Sequence, residues 1–393
     1  MRTIRVGVVG AGFAAKFHLE SLLQAHGVQV QIAGVTSLRA ESRQAFGSQH
    51  GIPVFDDIAS MLPHVDVLDI VSPPAAHEEG MLLAAEHGVS IICEKPLTGY
   101  FGPKGCGPEY RGDQDAKGPM LEKVVQGLTK LAGTIRRSGV TFGYAENFIY
   151  APAIQKEREI IEKSSAQVLR ILGEESHNGS GSAFYGIWRY QGGGSLMGKV
   201  CHPLSAALYL KRVEGIKRNG KPIRPRSVTA RCEQITRLPA YQDRGFIRTT
   251  YHDTEDHGWM HVTFEDGTVA DVISGEIVLG GIYNYIEVFA NNHRTRCNLS
   301  PINMLDTFNP RNEQFKDIYT VEKISTKEGW TAISPDENIT LGYIAEMQDF
   351  LNCVADKRAP QSGLELACDT ISAIYAAYLS DERKGQETEI PLA

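Results

Sequence analysis

The stretch TIRVGVVGAGFAAKFH, Thr3 to His18, constrains the fold more than any other part of the chain. An apolar run, Ile4 to Val9, enters Gly10-Ala11-Gly12-Phe13-Ala14-Ala15, and a helical pattern follows from about Phe13 to His26. Strand, glycine turn and helix in this order make the G-x-G-x-x-A form of the dinucleotide fingerprint. Gly10 suits the tight turn and Gly12 lets backbone approach a pyrophosphate. Ala15 permits close packing of helix on strand, and the helix N-terminus, with Phe13 and Ala14, faces the phosphates. A second strand is expected over Val30 to Ser37, where an acid normally holds the ribose of NAD. Val35-Thr36-Ser37-Leu38-Arg39 has no acid. Ser37 still offers a hydroxyl, and Arg39 suits either a 2′-phosphate or stacking on adenine. NAD is therefore expected, with NADP left open.

The pattern then alternates. Strands are expected over Val65–Val71, Val89–Cys93 and Val140–Ala145, with a helix over His77–His87. Alternation of this kind predicts an α/β domain, a parallel doubly wound sheet with helices on both faces, over residues 1–147. Gly99 to Pro119 interrupts it with a glycine- and proline-rich segment that is too irregular for helix or strand. A loop of that length is expected to act as a lid or as an arm to a neighbouring subunit. In residues 148–393, an α+β domain, strand patterns dominate from Ser227. Trp259–Phe264 and Thr268–Ile273 flank a Glu265-Asp266-Gly267 hairpin signal, Asn284–Ala290 alternates, and the chain ends in helices at Tyr343–Val354 and Leu364–Leu379.

Composition narrows the partners. The net charge of −7 argues against nucleic acid. No apolar run reaches the roughly 18 residues of a membrane span, and MRTIRVGVVGAGF has no leader pattern. The seven cysteines are scattered with no C-x-x-C pair, as expected of reduced thiols in a cytoplasmic protein without structural zinc. Asp253-Thr-Glu-Asp-His257 has metal-ligand composition but no paired histidine spacing, so it is expected to be a solvated loop, and no metal is expected.

Three short pieces complete the pattern: Ser72-Pro73-Pro74 with His77, Glu94-Lys95-Pro96, and Asn147-Phe148-Ile149-Tyr150-Ala151-Pro152. They follow what read as the fourth, fifth and sixth strands. With the fingerprint, the chain resembles the glucose–fructose oxidoreductase / inositol dehydrogenase (Gfo/Idh/MocA) family along essentially its whole length. The resemblance implies an N-terminal Rossmann domain and a second domain built on a large open, mostly antiparallel sheet. It also implies a nicotinamide cofactor, a sugar or cyclitol substrate, and homodimers or homotetramers formed through the open sheet. Lys95, at the carboxyl end of a central strand, is the expected catalytic lysine, with Glu94, Ser72 and Pro73 on the cofactor side. His77 either lines that pocket or caps its helix. Tyr144, Glu146 and Asn147 face the same side, with Asn147 placed to bond substrate or nicotinamide.

Many members continue Gly-Gly-Gly, three residues, Asp, three residues, His. Here Gly192, Gly193, Gly194 and His202 match, and the aspartate position is Gly198. The catalytic set is thereby reduced to Lys95 and His202, with His177, at the end of a Val168–Leu172 strand, as a further candidate. Lys199 is read either as a pocket cation for an anionic sugar or as a solvated side chain. Arg189 is a second anion-binding candidate, and Trp188 either stacks on a sugar or fills the core. Two activities are expected in turn: oxidation of a pyranoside hydroxyl, and a redox-neutral glycosidase cycle of oxidation, elimination, hydration and reduction. The YAENFIYAPAIQK and GEESH…GGGS…CHPLSA segments resemble those of NAD-dependent sulfoquinovosidases, which implies a sulfonated sugar. A simple NAD(P)-dependent sugar or cyclitol dehydrogenase is the alternative.

Overall fold

The computed structural model describes residues 2–300, 305–324 and 326–393. Its first sheet has five parallel strands in the order β2-β1-β3-β4-β5: β1 Thr3–Val9, β2 Gln29–Thr36, β3 Val67–Ile70, β4 Ser90–Glu94 and β5 Phe142–Ala145. β3, at the centre, is buried along its length because helices cover both faces. The Ser-Pro-Pro, Glu-Lys-Pro and Asn147 segments thus follow the third, fourth and fifth strands. Between β2 and β3 the only further pairing among the described residues is an isolated bridge, Val35 to Val54.

The second sheet has seven strands in the order β11-β10-β6-β9-β8-β7-β14. They are β6 Val168–Ser176, β7 Pro225–Glu233, β8 His257–Phe264, β9 Val269–Gly275, β10 Tyr283–Ala290, β11 Arg294–Asn298 and β14 Thr388–Glu389. All its pairings are antiparallel except β6 with β9. β8 alternates between buried and partly exposed residues, the mark of a sheet with one face packed and one open. Helix Cys201–Asn219 lies on the packed face. A two-stranded ribbon, β12 Leu305–Asn309 with β13 Gly329–Ile333, stands apart.

Segment 99–119 is docked within its own chain. Trp188 Nε1 donates to the Tyr100 carbonyl (2.9 Å), Gly112 N donates to Asp253 (2.8 Å), and Lys117 Nζ donates to the carbonyls of Gly112 and Asp115. The expected lid is therefore a strap packed over Trp188. The acidic run at residues 253–256 is buried, contrary to the expected solvated loop. Its carboxylates accept backbone N–H groups: Asp253 from Gly112 and Trp188, Glu255 from Gly194 and Leu196, and Asp256 from Ile235 and Thr236. All seven cysteines are free, and no helix of the described residues is long and apolar enough to cross a membrane.

Candidate active site

The crevice at the carboxyl ends of β1 and β3 has the shape a dinucleotide needs. Gly10 has φ +129°, and a Cβ there would stand 2.7 Å from the Val71 carbonyl. Gly12 faces open space, and the helix Phe13–Leu22 begins on it without a side-chain cap, so its first N–H groups remain available to an anion. Phe13 is exposed, Ala14 is half-buried, and the buried Ser72 Oγ has no partner. Ser37 Oγ donates to the Arg39 carbonyl, and the Arg39 side chain is exposed beyond the strand. His77 is fully buried between the Ser72 and Pro96 carbonyls (2.8 and 3.0 Å), so it braces the turns that carry Pro73 and Lys95. These residues fit NAD.

Lys95 stands at the end of β4, and its bond to Pro96 is cis. Its ammonium donates to the Gly198 carbonyl (2.9 Å). Burial works against its charge, but Cys201, Glu175, Glu94 and Glu146 outweigh that cost and hold its pKa above the ordinary lysine value. Glu94 is itself anchored by His18 Nε2 (3.3 Å), whose Nδ1 meets Asp69 (2.9 Å). Burial disfavours charge on His18, and Asp69 and Glu94 reverse the outcome, so this imidazolium is a fixed cation beneath the site.

His202 has one edge occupied. Its Nδ1 lies 2.6 Å from Glu146 Oε1, and its ring stacks on Phe148. Its Nε2 points towards Glu175 Oε2 at 3.6 Å, too far for a hydrogen bond. Burial, only partly offset by Glu175, lowers the imidazole to about 4, so the ring is neutral at pH 7. Burial pushes the Glu146 carboxyl well up, and which ring nitrogen of His202 carries the hydrogen depends on the tautomer. Glu146, Cys201 and His202 bring oxygen, sulfur and nitrogen donors within 4.8 Å of one another. Burial keeps the thiol protonated, and the Lys95 ammonium lies alongside, which makes this a poor set for a metal.

Lys199 is not the solvated side chain of one expected course. It is 2% exposed and forms an ion pair with Glu276, which also accepts the Tyr185 hydroxyl. The vacant aspartate position explains the arrangement. A Cβ on Gly198 would lie 2.5 Å from Tyr185 Oη, so the tyrosine hydroxyl fills the space a side chain would take. Leu196–Val200 form a π-helical turn, a feature frequent at functional sites, and this turn presents the Gly198 carbonyl to Lys95.

The remaining candidates are more peripheral. His177 Nδ1 accepts from Gly179 N (3.0 Å), which uses its lone pair and leaves Nε2–H to donate. Trp188 is buried against Tyr378. Arg189 contacts Tyr190, and its buried Nε has no partner. Asn147 Nδ2 donates to the Leu341 carbonyl (2.9 Å), and the buried Tyr144 hydroxyl is unpartnered. Sequence pattern does not point to Glu175, Glu276 or His18, and it places Glu146 only on the cofactor side. No spacing rule links residues 18, 146, 175 and 276. A buried carboxylate at the end of a strand leading into the cleft was the one available signal for Glu175.

Residues 4–101 match the model of the oxidoreductase family with NAD-binding Rossmann fold, GFO_IDH_MocA. Residues 4–101 thus carry the NAD-binding Rossmann domain of the Gfo/Idh/MocA family. Among its curated relatives, D-glucoside 3-dehydrogenase of Escherichia coli (strain K12) is 25% identical over 221 residues, 54% of this chain and 56% of that protein. Levoglucosan dehydrogenase of Pseudarthrobacter phenanthrenivorans is 26% identical over 226 residues, 53% of this chain and 52% of that protein. The aligned segments thus span about half the length of each. The fold is shared with solved structures over nearly their whole length. GenD2 from gentamicin A biosynthesis, in complex with NAD, has TM-score 0.77 at 19% identity, covering 100% of this chain and 97% of that one. Levoglucosan dehydrogenase with NADH has TM-score 0.72 at 16% identity, covering all of both chains. NAD is the cofactor of this family's N-terminal domain, whose sequence and fold the chain shares.

Proposed function

We propose that the protein oxidises a secondary ring hydroxyl of a sugar or glycoside, with C3 of a pyranoside as the position attacked. The carrying observation is the pairing of a partly buried cation with a neutral imidazole that has one edge occupied. Lys95 stays charged, so it orients the hydroxyl and stabilises negative charge on its oxygen. His202 is neutral, and with its ring hydrogen on Nδ1 facing Glu146 the bare Nε2 takes the hydroxyl proton. Bound NAD supplies the hydride acceptor. The choice of a sugar, and of C3, draws on the names of the D-glucoside 3-dehydrogenase and levoglucosan dehydrogenase relatives.

A second reading has its own observation. Glu175 supplies a carboxyl beyond what alcohol oxidation requires, and a redox-neutral glycosidase needs such a group for elimination. A sulfonated or otherwise anionic sugar, such as a sulfoquinovoside, would be read by a cation other than Lys199, whose charge is taken by Glu276. Arg189, with its unpartnered Nε, is the candidate. A panel of nitrophenyl glucoside, glucuronide and sulfoquinovoside, with and without NAD, separates the readings when nitrophenolate and NADH are followed together. NADH without nitrophenolate is the result expected of a dehydrogenase. Nitrophenolate that needs NAD but accumulates no NADH supports the glycosidase, and neither product from any sugar contradicts both.

A further inference from the structure

Glu175 is the most conspicuous group that hydroxyl oxidation leaves without a task. It lies at the carboxyl-terminal end of β6, one residue before the strand ends, and is 9% exposed. Its Oε2 has no hydrogen-bond partner. A buried carboxylate left unpaired is costly, and such groups persist mainly where they serve a function. Its neighbours are those of the reacting centre. His202 Nε2 lies 3.6 Å away, Lys95 and Lys199 act on it as nearby cations, and Glu146 opposes its charge. Burial raises the carboxyl above its ordinary range, which strengthens its carboxylate as a base.

The two bases therefore stand side by side, with Nε2 of one and Oε2 of the other 3.6 Å apart. A hydroxyl proton and the hydrogen on the neighbouring ring carbon present a similar separation. We propose that Glu175 is a second catalytic base, one that removes the carbon-bound proton next to the carbonyl formed by hydroxyl oxidation. The inference rests on the oxidation reading above. In the step, the C–H bond breaks and its proton passes to the Glu175 carboxylate. The bonding pair moves into the ring carbon–carbonyl carbon bond, and the C=O π pair moves to oxygen as an enolate beside the Lys95 ammonium. No oxidant or reductant is consumed. Return of the proton restores the ketone, and departure of a group on the next carbon would carry the enolate forward to elimination.

The test uses the full-length protein in D2O with two probes. Methyl 3-oxo-glucopyranoside enters after the oxidation step, and 4-nitrophenyl glucopyranoside with NAD enters before it. Deuterium at C2 is read by NMR, against the same ketone without protein. The wild type is expected to wash deuterium into C2 of the ketone. Glu175→Gln is expected to slow this by about 10²-fold or more, while NADH formation from the glucoside falls far less. Glu175→Asp should restore part of the exchange, and a retained thermal unfolding midpoint shows that both variants fold. Wild-type exchange no faster than the protein-free control, or exchange unchanged in Glu175→Gln, overturns the role of Glu175. Exchange from the ketone with no NADH from any glycoside would support the carbon-acid role while contradicting the oxidation reading.

Discussion

Two lysines, Lys95 partly buried and Lys199 fully so, stand close to the same glycine, and their environments give them opposite characters. Lys95 is ringed by carboxylates, bonds only to the Gly198 carbonyl among the described residues, and keeps its proton more firmly than an ordinary lysine. Lys199, one residue beyond that glycine, has a single carboxylate partner, Glu276, and burial lowers its pKa despite that pairing. The difference separates function from support. A cation whose only fixed partner is a neutral carbonyl can still meet an oxygen that becomes negative during reaction. A cation neutralised by its own carboxylate holds a turn in place.

The sharpest way to break this comparison is to remove each lysine. Lys95→Met should cost about 10²–10³-fold in kcat for NADH formation with little change in unfolding midpoint; full activity would end its assignment. Lys199→Met should act mainly on stability. It leaves Glu276 buried without its cation, a loss of about 3–5 kcal/mol measurable by urea unfolding. Adding Glu276→Gln to Lys199→Met should recover part of that loss, and failure to do so would mean the pair is not the source of the stability.

A smaller effect is expected where the imidazole is anchored. Glu146→Gln should lower kcat about 10²-fold with KM little altered. The wild-type acid limb set by His202 should lie near pH 4, below the 6.5 of an unperturbed histidine, because burial disfavours the imidazolium. A limb at 6 or above would mean that the ring is not buried in the working enzyme.

The smallest effect concerns Glu255, which gathers the N–H groups of Gly194 and Leu196 and the Tyr378 hydroxyl beneath the glycine run. Burial raises this carboxyl from 4.5 to about 7. A raised folded-state pKa means that its stabilising contribution is complete below about 4.5 and is lost as pH rises through about 7. Unfolding free energy measured across that window should fall for the wild type and flatten in Glu255→Gln.

Much of this molecule was legible from local pattern. The strand, Gly10–Ala15 turn and helix specify a Rossmann sheet because each piece has a local physical cause, and the end of β4 places Lys95 at a ligand crevice. The hairpin at 265–267 and the terminal helices are equally local. What escaped is convergence. Glu146, Glu175, Glu276 and His202 lie on separate elements, and only the fold brings their side chains together. Lys199 escaped for a different reason. Helical periodicity assumes 3.6 residues per turn, and Lys199 lies in a π-helical turn, Leu196–Val200, where the side chain is buried rather than solvated. The acids at 253–256 looked solvated because charge runs usually are. The backbone N–H groups of the strap and the glycine run that they satisfy lie far away in sequence.

The measurement that bears most directly on the central claim follows the hydride itself. The glycoside that responds best in the nitrophenyl panel, carrying deuterium at C3, would be mixed with protein and NAD, and the reduced cofactor examined by mass spectrometry as it forms. Oxidation at C3 predicts a deuterium-labelled reduced cofactor, formed more slowly than with unlabelled sugar and about 10²–10³-fold more slowly again in Lys95→Met. Unlabelled reduced cofactor, or a rate indifferent to Lys95, would contradict the account.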